Sequence, residues 1–144
     1  QIIRGLFPIL NPDLADVEWL EVDGLAHRDV MRELGTSAVF LSLQNLEGFG
    51  LPALEAMAAG CLVVGFTGGR GCEYADKSNA LWVAEDDIEV AVLALGRALR
   101  WVRSGALAAD AMVAAGRRTA NCYSIETRDR AVLTFYDQVI TAPR

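Results

Sequence analysis

The residues best suited to chemistry sit in one stretch, Glu47-Gly48-Phe49-Gly50-Leu51-Pro52-Ala53-Leu54-Glu55-Ala56-Met57-Ala58-Ala59-Gly60. Two carboxylates, Glu47 and Glu55, stand with seven residues between them. A carboxylate accepts two hydrogen bonds in one plane, which suits the vicinal hydroxyls of a sugar. Between them, Gly48 and Gly50 let the backbone come close to a ligand. Pro52 suits the first turn of a helix, so the amides from Gly48 to Leu51 fall at a helix N-terminus. Unpaired N–H groups and the helix dipole attract phosphate there. Either glutamate taken alone reads equally well as an ordinary first-turn acid that stabilises the dipole. Phosphate-binding amides between two sugar-binding acids describe a site for a sugar nucleotide.

Other side chains are weaker candidates. Phe66 to Cys72 is a glycine-rich loop, and Gly69, Arg70 and Glu73 are candidate loop contacts. Arg70 suits a phosphate or an acceptor, although solvation is the ordinary fate of a loop arginine. Glu73 suits a role in holding the loop by accepting backbone N–H bonds. His27, the only histidine, reads as a helix cap or surface residue and excludes any site needing two imidazoles. Cys61, Cys72 and Cys122 form no CxxC pair, which suggests neither a disulfide framework nor a zinc site. Cys61 reads as a small buried hydrophobe. Trp19, Trp82 and Trp101 read as packing residues.

The elements that must position these residues alternate in type. Gln1 to Leu10 reads as the end of a helix, stopped by Asn11-Pro12. Val17 to Val22 alternates as a strand closed by Asp23-Gly24. Asp29 to Leu34 has helical spacing. Ala38 to Leu43 is a continuous apolar run, as expected of a strand buried on both faces. A helix from Pro52 to Gly60 follows, then a strand over Leu62-Val63-Val64-Gly65 and a short one over Leu81-Trp82-Val83. Ile88, Val92, Leu95, Leu99 and Val102 trace the core stripe of a long helix capped by Asp86 or Asp87. Two more helices are expected over Leu107 to Thr119 and Ile125 to Val139, the last with Ser124 as N-cap. Strands alternating with helices predict an α/β fold with a parallel sheet flanked by helices. Three consecutive helices exceed what an open sheet needs, so some are expected to pack elsewhere.

Composition narrows the class. The chain has 144 residues, 53% hydrophobic and 22% charged, which is the profile of one globular domain. Its net charge of -6 argues against nucleic acid or an anionic membrane as the main partner. No apolar run reaches the ~20 residues of a transmembrane helix. Cysteine usage favours a reducing, cytoplasmic compartment. The chain begins at Gln1 with no signal-peptide pattern and reads as a piece of a longer protein, with any membrane association left to other parts.

The Glu47 to Gly60 stretch resembles the E-x7-E signature of retaining glycosyltransferases of the group 1, or family 4, type, which includes glycogen and sucrose synthases. The strands at Val22, Ala38 to Leu43 and Cys61 to Gly65, and the loop ending at Glu73, come in the family order. The resemblance implies a GT-B fold, two Rossmann-like halves across a cleft. Residues 1–144 would be a single domain, most of the C-terminal half that binds the nucleotide-sugar donor. It implies that Glu47 contacts the donor sugar as the catalytic glutamate and that Glu55 holds the ribose. Gly48, Phe49, Gly50 and Leu51 would meet the sugar and diphosphate. No cofactor is implied beyond the nucleotide sugar as substrate. No DxD motif is present, and the resemblance implies no essential metal. The partner implied is the N-terminal half of the same protein.

The sequence also departs from the pattern. Relatives carry an Arg and Lys pair on and after the first strand of this half, a strand that would lie before Gln1. Leu62-Val63-Val64 replaces the usual Pro-Val-Val. Gly68-Gly69-Arg70-Gly71-Cys72-Glu73 is one residue longer than Gly-Gly-x-x-Glu. A non-catalytic sugar-nucleotide binding domain, or a sugar-nucleotide epimerase of GT-B type, are the alternatives. An unrelated dinucleotide oxidoreductase is disfavoured, since the glycines of Phe66 to Gly71 lack the required spacing.

Overall fold

Three short runs rich in β-branched and aromatic residues form the sheet of the computed structural model, which describes residues 2–45, 48–69 and 73–141. They are β1 (Val39–Ser42), β2 (Leu62–Gly65) and β3 (Leu81–Trp82), in the order β1-β2-β3. Both pairings are parallel, with Val39 opposite Leu62 and Val64 opposite Leu81. Parallel neighbours need crossover connections, and α3 (Leu51–Ala59) supplies the one between β1 and β2.

Alternation along β2 builds a layer on each face. Leu62 and Val64 point into a core made with α1 (Ile2–Leu10) and α4 (Ile88–Ser104), through Phe7, Val92 and Leu95. Val63 points the other way, toward Leu54 and Met57 of α3 and Leu34 of α2 (His27–Thr36). α5 (Leu107–Cys122) packs against α3 on this second face. The architecture is α/β, a three-stranded parallel sheet flanked by helices, as the sequence predicts. Asp87 caps α4 by accepting a hydrogen bond from the Val90 amide at 3.1 Å. Gly60 closes α3, and Asn11 ends α1. Asn79, buried beside α5, accepts from the Trp82 indole and the Asp76 amide and donates to the Tyr74 carbonyl and the Thr119 hydroxyl.

Two expectations need correction. Val17 to Val22 is not a strand; it has no ladder partner among the described residues. Alternation supplies the faces of a strand, but hydrogen bonds to a neighbour are what make one. β1, expected to be buried on both faces, is half-exposed over Val39 to Leu41, because β2 is its only ladder partner among the described residues. Between this free edge and Val17 to Val22 lies an apolar groove of about 690 Å³, lined by residues including Ile3, Trp19, Val39, Leu41 and Leu99. Finally, α6 (Ile125–Thr141) begins after Ser124, whose hydroxyl accepts from the Thr127 amide. Its apolar residues, among them Leu133, Phe135 and Ile140, are exposed, in line with an expected surplus helix. Among the described residues, no helix is long and apolar enough to cross a membrane.

Candidate functional site

The loops that leave the C-terminal ends of the three strands lie side by side, where parallel sheets hold their ligands. The loop after β1 runs through Gly48 and Phe49 into α3. Gly50 is the N-cap of α3 and adopts a left-handed conformation, φ 79°. The Tyr74 hydroxyl donates to the Gly50 carbonyl at 2.7 Å. A Cβ on Gly50 would stand 2.5 Å from that hydroxyl, so both backbone shape and space require glycine. Phe49 packs edge-on against Tyr74 and Tyr123, with ring centroids 5.7 and 5.3 Å away. The turn is thus anchored from behind by an aromatic cluster, while Gly48 and Leu51 remain exposed. No side chain caps the first turn of α3 among the described residues. Pro52 has no N–H and the Ala53 amide donates to the Gly50 carbonyl at 3.2 Å, so the Leu51 amide and those of the turn before it are the ones placed to meet a ligand.

Glu55 lies one turn along α3, half-buried, with His27 Nδ1 3.8 Å from its carboxylate. Glu47, the other half of the glutamate pair, lies outside the described residues, as do Arg70 and Cys72. The structure thus brings Gly48, Phe49, Gly50, Leu51 and Glu55 together around the start of one helix. His27 is a surface residue, as expected, but its proximity to Glu55 is not evident from the sequence.

The loop after β2 contains Gly68 and Gly69, both at positive φ. Glu85, from the end of β3, accepts three hydrogen bonds on one oxygen. The donors are the Thr67 amide at 3.1 Å, the Thr67 hydroxyl at 2.8 Å and the Gly69 amide at 3.3 Å. Glu85 thus holds the loop over Thr67 to Gly69; Glu73, the sequence's candidate for holding it, is exposed, and residues 70–72 before it lie outside the described residues. The neighbouring Asp86 accepts from the Asn45 side chain, tying the loop after β3 to the loop after β1. Glu85 and Asn45 carry no motif and Asp86 reads only as a candidate helix cap, so the signal for all three is their place at the ends of adjacent parallel strands. At the other end of β2 from these loops, burial pushes the Cys61 thiol up to about 11. That thiol donates to the carbonyls of Leu34 and Ser37 and serves as packing.

The family described as "Glycosyl transferases group 1" matches residues 18–113, more than half of the chain and all of the loop–helix unit just described. The chain belongs to the group 1 glycosyltransferases. It is 35% identical over 89 residues to an "Alpha-1,6-glucosyltransferase" of Actinobacillus pleuropneumoniae serotype 7 (strain AP76), covering 60% of this chain and 27% of the relative. It is 43% identical over 51 residues to ORF330, provisionally named a glycosyltransferase, of Acidianus filamentous virus 2 (isolate Italy/Pozzuoli), covering 35% of this chain and 16% of the viral protein. The matched parts thus span about a quarter or less of these relatives. Within the chain, the family match includes Glu55, Tyr74 and Glu85 as well as the glycine turn.

Proposed function

We propose that this chain is the donor-binding part of a retaining glycosyltransferase, which moves a sugar from a nucleotide-sugar donor to an acceptor. The observation that carries the reading is the uncapped start of α3 behind a glycine turn, with the Glu55 carboxylate one turn further on. An N-terminus of this kind favours an anion. The amides from Gly48 to Leu51 would hold the diphosphate and stabilise its charge as it leaves. Glu55 would hold the ribose hydroxyls, and Glu47 would orient the donor sugar. The nucleotide sugar is the substrate, with no separate cofactor. The name of the bacterial relative makes a glucosyl donor the first to test.

The rest of the enzyme would come from further polypeptide. The free edge of β1 and the apolar groove beside it suit additional strands of the same domain. The exposed apolar residues of α6 suit a second half, which would supply the acceptor site. The 144-residue chain alone would therefore bind donor without efficient transfer. Cys61 and Cys122 are free thiols, which fits a reducing, cytoplasmic compartment.

Calorimetry on the full-length protein tests the reading, with uridine, guanosine and adenosine diphosphates and their glucose or mannose conjugates. One nucleotide should bind. Removing a charge-assisted contact costs ~1.5–3 kcal/mol, so Glu55→Gln should weaken binding roughly tenfold to hundredfold. Glu47→Gln should spare the free diphosphate and lower kcat with the sugar donor. Absence of nucleotide binding by the unaltered protein would refute the proposal.

A further inference from the structure

We propose that Glu85 is a positioning residue of the donor site: its carboxylate holds Thr67 to Gly69 in a fixed shape beside the α3 turn. The inference rests on the donor-binding reading above. β2 ends with the Phe66 amide bonded to the Ser42 carbonyl and the Gly65 carbonyl bonded to the Val83 amide. Beyond that point the backbone passes through Gly68 and Gly69, whose conformational freedom makes the loop costly to order. Glu85 offsets this by gathering three donors onto Oε1. The Thr67 and Gly69 amides, turned to one side with the Thr67 hydroxyl, make a cradle for an anion, and here the anion is a side chain of the same protein. With those amides engaged, Glu85 acts through the loop and not on the ligand.

The loop so held faces the cradle. The position of a Cβ on Gly69 lies 3.9 Å from the carbonyl of Asn45, on the loop leading to Gly48. Asn45 is itself fastened to Asp86, the residue next to Glu85. Adjacent carboxylates at the end of β3 thus set the spacing of the loops after β1 and β2. A site held ready in this way binds more tightly because less freedom is lost on binding.

The test is calorimetry with the full-length protein and UDP-glucose, GDP-mannose and ADP-glucose as probes, using whichever binds. Glu85→Ala should raise Kd about tenfold with binding stoichiometry unchanged, the equivalent of one lost hydrogen-bonded anchor. Glu85→Gln keeps an accepting oxygen in place and should restore Kd to within about threefold of the unaltered protein. Hydrogen exchange at the Thr67 and Gly69 amides should speed up in Glu85→Ala. A purely structural role would lower the stoichiometry and leave Kd alone, which overturns the proposal. So does unchanged exchange at those two amides, or a Kd within twofold of the unaltered protein. If the unaltered protein binds none of the probes, the donor reading itself fails, and this inference with it.

Discussion

His27 Nδ1 lies 3.8 Å from Glu55 Oε1, joining the first residue of α2 to the helix behind the glycine turn. The His27 side chain is 74% exposed, and exposed pairs of this kind are worth ~0–1 kcal/mol at most. Two substitutions break the same pair, which separates its structural part from any ligand contact of Glu55. Both His27→Ala and Glu55→Gln should leave the unfolding midpoint nearly unchanged. Only Glu55→Gln should weaken nucleotide binding, by the factor given above. Equal losses of affinity in the two variants would show that the pair, and not the Glu55 carboxylate itself, supports binding.

The Tyr74 hydroxyl reaches Gly50 from beneath the cradle. Tyr74→Phe keeps the ring and its contacts with Phe49 and Tyr123 but removes the donor. Gly50 keeps only the Ala53 amide as a described partner for its carbonyl. Losing one buried hydrogen bond costs about 0.5–1.5 kcal/mol. Denaturant unfolding should show that loss, and nucleotide affinity should fall with it because the amides around Gly50 lose their fixed orientation. An undiminished affinity alongside the stability loss would confine Tyr74 to the core.

What the sequence made legible depended on how local the cause is. Gly60, Asp87 and Ser124 cap helices through bonds to nearby residues, and each was readable from residue type and position. The glycine turn before Pro52 was readable for the same reason. Val17 to Val22 misled because pairing is a property of two segments, and its alternation says nothing about a neighbour. The clasp of Glu85 on Thr67 and Gly69 spans 16 to 18 residues, and the Asn45–Asp86 bond spans 41. Such contacts follow from the parallel order of the strands, not from any pattern in the chain. His27 and Glu55 likewise meet only because α2 packs on α3.

Helix α4 crosses α1 at Gly96, where a Cβ would run into the Asn11 carboxamide. Asn11 is 1% exposed; it donates to the carbonyls of Phe7 and Val92 and accepts from Arg100 at 3.1 Å. Arg100 also grips Asp13 and holds its carboxyl below the usual carboxylate range. Gly96→Ala cannot be absorbed by a free rotation of Asn11, since both ends of the amide are engaged. Overpacking of this kind costs ~1–3 kcal/mol. The unfolding midpoint in urea should drop accordingly. Asn11→Ala in the same background should recover part of the loss, because it removes the atoms that collide. A Gly96→Ala protein as stable as the parent would mean that α1 shifts freely against α4.

Cys61 is 2% exposed, and burial lifts its thiol from 9.0 to about 11. The folded protein therefore holds this proton more tightly than the unfolded chain does. Its contribution to stability is fully present below pH 9, where both states are protonated. As pH rises past 9 the unfolded thiol ionises first, and stability falls until the folded value near 11 is reached. Cys61→Ala removes this dependence, so its stability should decline less steeply between pH 9 and 11 than that of the parent. Thiol labelling gives a second measurement. At pH 8, iodoacetamide should modify the exposed Cys122 in the native protein and reach Cys61 only after denaturation. Rapid native labelling of Cys61, read by peptide mass, would show that the layer formed by α2 and α3 opens far more readily than its packing implies.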